Sequence, residues 1–311
     1  MVSILLAAYN GERYLPPQLD SLEAQARHLP ELRILWQDDG SADGTAALLR
    51  QRTAPDSIWQ PGTQQGQHLG AAGNFLSLMA QDDAAYTLLC DQDDVWQPDK
   101  AARCMNAMRS LEAQYGTDTP LLVHHDCRLI DADGQLLHDS FFRHQGWDGS
   151  ANTLPRLLVQ NNVTGCTLMV NAPLRNLVTA HAKAEAIFMH DWFIALTAAA
   201  FGRIAFISDP LVGYRQHGAN VMGASRHGLI RRGMSALTAP GRARERIALT
   251  FRQARTLRDT YGEALPDEAR AVIDGYLAIQ RLPKLQRAAA LRRGGYLMQS
   301  RITRLGQAIF T

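Results

Sequence analysis

Several features that would assign a chain to a common class of protein are missing from these 311 residues. No apolar run approaches the roughly 18 residues that a membrane-spanning helix needs. The opening segment, Met1 followed by VSILLAAYN, becomes polar too soon for a signal peptide. It leads into neither the glycine-rich motif of dinucleotide sites nor that of P-loop enzymes. We therefore expect a cytoplasmic protein that is neither a dehydrogenase nor a P-loop NTPase.

Cysteine is scarce as well. The four cysteines, Cys90, Cys104, Cys127 and Cys166, are scattered and form no CxxC pair. This spacing argues against a zinc site and against a disulfide framework, and it suits a reducing cytosol.

Charge is distributed unevenly along the chain. The net charge of +2 conceals 15 Lys/Arg against 24 Asp/Glu in residues 1–223, and 17 against 6 in residues 224–311. With 46% apolar residues, the chain can form one large domain or two smaller ones. We predict an acidic domain over 1–223 and a basic, helical region over 224–311, with a soft boundary among the glycines at 220–240.

Short apolar runs alternate with helical segments in the first hundred residues. SILLAAY, LRILWQ and AYTLLC read as buried strands, SIWQ as a weaker one, and amphipathic stretches separate them. This order predicts a parallel sheet with helices on both faces.

Further elements are predicted along the rest of the chain. LLVHHDCRLID and QLLHDSFF flank Ala132-Asp133-Gly134 and read as a hairpin, so His124 and His125 point to opposite faces rather than to one metal. CTLMVN, IAFIS and LVGY read as three strands, and residues 191–202 as a helix with Asp191 at its N-cap. Near the C-terminus one helical face is predicted to carry Met298, Ile302, Leu305 and Ile309.

An acidic cluster follows one of the predicted strands. In LLCDQDDVWQPDK, Asp91 and Asp93 are two residues apart, so both can turn toward one point in a loop. Hard divalent cations such as Mg²⁺ or Mn²⁺ take carboxylate ligands and often share them with substrate phosphates. The alternative is an acidic turn that only begins the next helix.

A second acidic pair, Asp38-Asp39, ends the second predicted strand. At that position a carboxylate can accept a hydrogen bond from a nucleobase imide or a ribose hydroxyl. The alternative is a loop that caps the following helix, for which Ser41 and Asp43 are also suited.

Five motifs in order carry a resemblance to a known family: VSILLAAYNGERYLPPQLDSL, ILWQDDGSADGT, CDQDDVWQPDK, HDW and YRQHGANVMG. Together they resemble the family 2 inverting glycosyltransferases of GT-A fold, and within them the rhamnosyltransferase-like branch. The resemblance covers residues 1–223 and implies a nucleotide-binding half over 1–100 and an acceptor half over 101–223.

The resemblance also implies roles for individual residues. Asp191 would be the general base, and Asp91 and Asp93, with His217, would hold Mg²⁺ or Mn²⁺. Contacts to the nucleotide sugar would come from Ala7, Ala8, Tyr9, Asp38, Asp39, Asp91 and Arg215. The acceptor side would include Trp96, Trp192 and His190.

Several of these residues can instead have purely structural roles. Asp191 can be an N-cap only, His217 a structural histidine and Arg215 a solvated neighbour, while both tryptophans can be packing residues. HDW replaces the more common Glu-Asp of the family, and Asn74 stands where other branches have an arginine that faces the diphosphate.

The resemblance implies metal-dependent inverting transfer of a sugar, with L-rhamnose from dTDP-rhamnose as the specific expectation. The acceptor would be a saccharide or lipid-linked saccharide in cell-surface polysaccharide or lipopolysaccharide synthesis. The alternatives are a UDP-hexose-dependent enzyme of the same fold and a non-catalytic nucleotide- or glycan-binding protein.

The basic region 224–311 suits peripheral contact with the anionic cytoplasmic face of the inner membrane. Alternatively it packs on the acidic domain or on another subunit. It lacks the interleaved aromatic residues that favour nucleic acid, so no nucleic-acid partner is expected.

Overall fold

The computed structural model of the chain describes residues 1–217 and 240–311. Its strands are β1 (Val2–Ala8), β2 (Leu32–Asp38), β3 (Trp59–Pro61), β4 (Tyr86–Asp91), β5 (Val95–Trp96), β6 (Leu121–Ile130), β7 (Leu136–His138), β8 (Met169–Asn171) and β9 (Arg203–Arg215). Its helices are α1 (Leu15–Gln25), α2 (Thr45–Arg52), α3 (Gly70–Gln81), α4 (Lys100–Tyr115), α5 (Phe141–Gln145), α6 (Leu154–Val159), α7 (Ala172–His181), α8 (His190–Phe201), α9 (Pro240–Tyr261), α10 (Asp267–Ala278), α11 (Lys284–Arg293) and α12 (Arg301–Phe310).

All nine strands of the described chain form one sheet, in the order β3-β2-β1-β4-β8-β6-β9-β5, with β7 paired to β6. The pairs among β3, β2, β1 and β4 are parallel, as the strand–helix alternation predicts. β8 runs antiparallel to both β4 and β6, while β6 and β9 are parallel. β6 and β7 form the expected hairpin, but its second strand is shorter than predicted, because β7 ends at His138 and Phe141 begins α5.

Alternation along the strands places apolar side chains on both faces of this sheet. Ile4 and Leu6 pack with Leu15 and Leu19 of α1, whereas Leu5 between them packs into the opposite layer. The opposite layer holds α3, α6, α7 and α8. Helices therefore cover both faces, as expected for two-sided burial of a parallel sheet.

The C-terminal helices pack into the layer that contains α3, α6, α7 and α8. Phe251, Ala254 and Leu257 of α9 lie in the same buried cluster as Phe193 and Leu196 of α8. This contact is apolar, so the C-terminal helices do not depend on charge complementarity to dock. The predicted boundary between residues 223 and 224 lies outside the described residues.

The predicted apolar face near the C-terminus is divided in the structure. Met298 is buried, whereas Leu305 and Ile309 of α12 remain 58% and 53% exposed. The side chain of Ile302 is not among the described ones. In the described ranges no helix is both long and apolar enough to cross a bilayer.

Three local predictions need correction. The segments 204–208 and 211–214 belong to one strand, β9, because bulges opposite His125 and Asp126 accommodate Pro210 without ending the pairing. Residues 165–167 form a 3₁₀ turn, so β8 begins only at Met169. The N-cap of α8 is Met189, and Asp191 lies in its first turn.

Candidate functional site

The predicted nucleotide-binding residues meet at one edge of the sheet. β1 pairs with β2 through Ala8 opposite Asp38, and with β4 through Ala7 opposite Asp91. Because these strands are parallel and in register, their carboxyl ends and the loops that follow lie side by side. This edge is where open α/β sheets bind ligands.

Three carboxylates are concentrated in the loop after β4. Burial and the neighbouring charges of Asp94, Asp93 and Asp191 raise the pKa of Asp91 well above its usual value. The pKa of Asp94 is raised to about 7, again by burial and then by Asp93. In the described chain, ligand atoms of Asp91, Asp94 and Cys166 lie within 4.8 Å of one another.

Asp94 is a site residue that the sequence analysis missed. It is fully buried, and one of its carboxylate oxygens accepts a hydrogen bond from the Arg215 N–H at 3.0 Å. The other oxygen has no hydrogen-bond partner among the described residues. Its position in the DQDD run could have indicated a site residue. The DxD spacing, however, selects only Asp91 and Asp93.

Positive groups surround this loop. Lys100 is fully buried, its ammonium donates to the Cys166 carbonyl at 2.6 Å, and it lies 3.1 Å from the centre of the Trp96 ring. Burial lowers the pKa of Lys100, although the nearby Asp94 charge opposes this shift. Lys100 was not among the site residues predicted from the sequence.

Arg215 and His217 reach the same loop from the end of β9. The His217 Nε2 is 2.7 Å from a carboxylate oxygen of Asp93, and its ring stacks on Tyr14. Arg215 is buried, and its guanidinium donates to the carbonyls of Asp93, Asp131 and Ala132. Arg215 is therefore not the solvated neighbour considered above, and its guanidinium holds loop backbone.

Asp191 faces the acidic loop from the start of α8. One carboxylate oxygen accepts from the Gly165 N–H at 3.2 Å, and the other from the Trp192 N–H at 2.5 Å. Burial raises the pKa of Asp191 to about 7. Its charge also contributes to the raised pKa of Asp91, so the predicted base and the predicted metal loop share one site.

The carboxylates of Asp38 and Asp39 are both used by the protein itself. Asp39 accepts from the N–H groups of Leu69 and Gly70 at the start of α3, at 2.5 and 2.8 Å. Asp38 accepts from the backbone and hydroxyl of Ser41. These roles are structural, but they are not the expected cap of the following helix, because Asp39 binds the start of α3 and not of α2. A nucleotide would have to share these oxygens.

Tyr9 is the most accessible of the residues predicted at the end of β1. Its side chain is 44% exposed and its ring meets the edge of His68 at 5.1 Å, whereas Ala8 is buried and Ala7 half-buried. Asn74 is also buried, and its side chain pairs with the amide of Gln37. It therefore does not perform the role of the arginine that other branches have at this position.

None of the three residues predicted on the acceptor side is exposed. Trp192 is 6% exposed and donates from its indole to the Leu157 carbonyl, and Trp96 is 2% exposed beneath Lys100. Both therefore pack in the interior. His190 stacks on Phe75 at 4.4 Å, and burial lowers its pKa to about 4.

The His124-His125-Asp126 run forms no metal cluster. His124 contacts Asn152, His125 contacts the Asp126 carbonyl, and the Asp126 carboxylate accepts from Cys127 and Ser140. Successive side chains of the strand face different layers, as the sequence alternation indicates.

The donor set around the loop after β4 fits a hard divalent cation. Asp91 and Asp94 supply carboxylate oxygens within 4.8 Å of each other, and one Asp94 oxygen has no hydrogen-bond partner among the described residues. The predicted ligands Asp93 and His217 bond to each other beside this group and are not part of it. Oxygen-rich sites of this kind suit Mg²⁺ or Mn²⁺. The soft thiol of Cys166 is a poor ligand for either ion.

Comparison with known proteins relates part of this chain to a known family. Residues 3–121, which include β1 to β4 and the acidic loop, match the model of the family described as Glycosyl transferase family 2. This part of the chain is therefore similar to glycosyl transferase family 2 domains. It is 25% identical over 227 residues to the putative glycosyltransferase EpsH of Bacillus subtilis, covering 71% of this chain and 62% of EpsH.

Solved structures show the same GT-A fold. TarS residues 1–349 of S. aureus, in complex with UDP-GlcNAc, superimpose with a TM-score of 0.55 at 14% identity, covering 98% of this chain and 90% of that chain. The mannosyltransferase PcManGT of Pyrobaculum calidifontis, with GDP-Man and Mn²⁺, gives 0.53 at 14% identity over 94% and 72%. The chain spans only 59–66% of the length of several curated relatives.

Proposed function

We propose that this protein is an inverting glycosyltransferase that moves a sugar from a nucleoside diphosphate donor to an acceptor hydroxyl. One observation carries the proposal: in a chain whose residues 3–121 match glycosyl transferase family 2, the buried Asp191 carboxylate lies near three further carboxylates at the carboxyl end of β4. The loop suits the metal that accompanies a diphosphate, and Asp191 suits a base. No covalent nucleophile is required.

In the proposed reaction the Asp191 carboxylate accepts the proton of the acceptor hydroxyl. The acceptor oxygen forms a bond to the anomeric carbon while the bond from that carbon to the diphosphate oxygen breaks. Two backbone N–H groups, of Gly165 and Trp192, hold the Asp191 carboxylate in one orientation. A pKa of about 7 lets the same group be ionised and still basic near neutral pH.

The departing nucleoside diphosphate would lie next to the loop after β4. Asp91 and Asp93 with His217, joined by Asp94, would hold a divalent cation, which would offset the charge that develops on the diphosphate. Tyr9 at the exposed end of β1 would lie beside the nucleoside, with Ala7 and Ala8 beneath it. In this arrangement Asp38, Asp39 and Arg215 shape the loops around the nucleotide.

For the donor we propose dTDP-rhamnose, on the motif resemblance to the rhamnosyltransferase-like branch. A UDP-hexose donor is the alternative, and TarS residues 1–349 were solved with UDP-GlcNAc. The acceptor would be a saccharide or lipid-linked saccharide of a cell-surface polysaccharide. A protein that binds nucleotide or glycan without catalysis is not favoured, because Asp93 and Asp191 are both present.

Titration of the purified protein with dTDP, UDP and GDP, with and without Mn²⁺, tests the donor site by calorimetry. We expect one nucleotide to bind, at least tenfold more tightly with Mn²⁺, and Asp93→Ala to remove the metal dependence. Asp118→Ala, an exposed carboxylate after α4, is the matched control and should behave as wild type. Absence of nucleotide binding in every condition would contradict the proposed function.

Asp191→Asn should lower the rate of nucleoside diphosphate release from the selected donor by about 10²–10⁴-fold, with nucleotide affinity unchanged. In the wild type the rate should rise with pH through about 7, because Asp191 acts as a base only after it loses its proton and burial raises its pKa to that value. A variant that retains full rate, or a rate that falls as pH rises from 6 to 8, would exclude Asp191 as the base.

We further propose that residues 281–311 contact an anionic membrane surface, where a lipid-linked acceptor would be found. This segment contains seven Lys/Arg and no Asp or Glu. Within it Leu285 is 96% exposed, and Leu305 and Ile309 are more than half exposed. Basic charge with exposed apolar side chains is the composition of interfacial helices.

Co-sedimentation with vesicles of phosphatidylcholine, with or without phosphatidylglycerol, tests this contact. We expect binding only to the anionic vesicles, and at least tenfold weaker binding when Leu285, Leu305 and Ile309 are all replaced by serine. Serine at Leu136 and Leu137, which are 56% and 45% exposed on β7, is the matched control. Equal binding of both variants, or a dimer in light scattering that the triple replacement abolishes, would contradict membrane contact.

A further inference from the structure

Gln92, the residue between Asp91 and Asp93, makes two hydrogen bonds to the backbone of Tyr9. The Tyr9 N–H donates to Gln92 Oε1 at 2.7 Å, and Gln92 Nε2 donates to the Tyr9 carbonyl at 2.8 Å. The side-chain amide thus bonds to both the N–H and the carbonyl of one residue, as the backbone of a neighbouring strand would. Only this orientation of the amide satisfies both bonds, because the Tyr9 N–H needs an acceptor and its carbonyl needs a donor.

This contact lies just beyond the end of regular pairing between β1 and β4. The last paired residues are Ala7 and Asp91, and past them the two chains enter separate loops. Gln92 therefore joins the loop that carries the acidic cluster to the end of β1.

The loop after β1 is fixed from its other side by the loop after β2. The Asn10 N–H donates to Ser41 Oγ at 2.8 Å, and Asn10 Oδ1 accepts from the Ala42 N–H at 2.8 Å. With one side fixed in this way, the amide of Gln92 joins the other side of this loop to the loop that carries the acidic cluster.

Gly11 leaves the space that this amide occupies. A Cβ atom added at Gly11 would lie 2.3 Å from the Gln92 Oε1 and Cδ atoms, so the Gln92 side chain would have to move. Gly11 is not among the glycines with a left-handed backbone, and alanine is compatible with its conformation. A methyl group at position 11 would thus act on the same contact from the opposite side.

We propose that Gln92 is a positioning residue that couples nucleotide binding to metal binding, by holding the nucleoside end of the site at a fixed distance from the metal loop. The proposal rests on the proposed function. When two half-sites are held rigidly, a ligand that reaches both binds more tightly than two independent contacts allow. Without the amide, each half-site remains but the rigid span between them is lost.

The test compares three affinities in each variant: Mn²⁺ alone by electron paramagnetic resonance, the selected nucleotide alone by calorimetry, and the nucleotide with saturating Mn²⁺. For Gln92→Ala we expect the first two within twofold of wild type and the third about five- to tenfold weaker, as expected for two partly exposed hydrogen bonds. Gln114→Ala, an exposed glutamine on α4, is the control and should leave all three unchanged.

Gly11→Ala should give the same pattern, and the double variant Gly11→Ala/Gln92→Ala should be no weaker than Gln92→Ala alone, because truncation of Gln92 makes room for the methyl group. This non-additivity separates positioning from a general loss of fold, in which the two effects would add.

Three results would overturn the inference. Additive losses in the double variant, or an unchanged third affinity in Gln92→Ala while the wild type shows metal-dependent binding, would overturn it and leave the proposed function intact. A wild type that binds no nucleotide with or without Mn²⁺ would overturn both.

Discussion

The acidic site depends on keeping four carboxylates close together at the edge of a buried sheet. Burial raises the pKa of Asp91 well above its usual value and that of Asp94 to about 7, and the neighbouring carboxylate charges add to both shifts. The fully buried Lys100 supplies positive charge beneath the loop, and backbone N–H groups hold Asp94 and Asp191. A divalent cation would relieve the repulsion among these carboxylates.

The loops that frame this cluster are fixed to one another rather than to a ligand. Asp39 caps α3, Asn10 pairs with the loop after β2, and Arg215 holds the carbonyls of two loops. Such mutual contacts keep the site in shape before a substrate arrives, which reduces the ordering that binding would otherwise require. The C-terminal helices contribute indirectly, because α9 shares its core with α8, which carries Asp191.

Local sequence patterns are sufficient to predict the strands that build the site but not the partners of its side chains. Apolar runs before Tyr9, Asp39 and Asp91 identify β1, β2 and β4 because buried parallel strands are continuously apolar. The merging of two expected strands into β9 depends on bulges against β6, which no local pattern encodes. Likewise the hydrogen bonds of Asp39 to α3, and the burial of Asp94 against the backbone of Arg215, join residues about 30 and 121 positions apart.

The central claim is that the acidic cluster holds a divalent cation against the diphosphate of a sugar nucleotide. Electron paramagnetic resonance of protein-bound Mn²⁺, recorded with nucleoside diphosphate enriched in ¹⁷O at the phosphates, measures this contact directly. The account predicts that the Mn²⁺ lines broaden with the enriched nucleotide compared with the unenriched one. Unchanged lines in a sample where both Mn²⁺ and nucleotide are bound would mean that the metal does not contact the diphosphate, and would contradict the account.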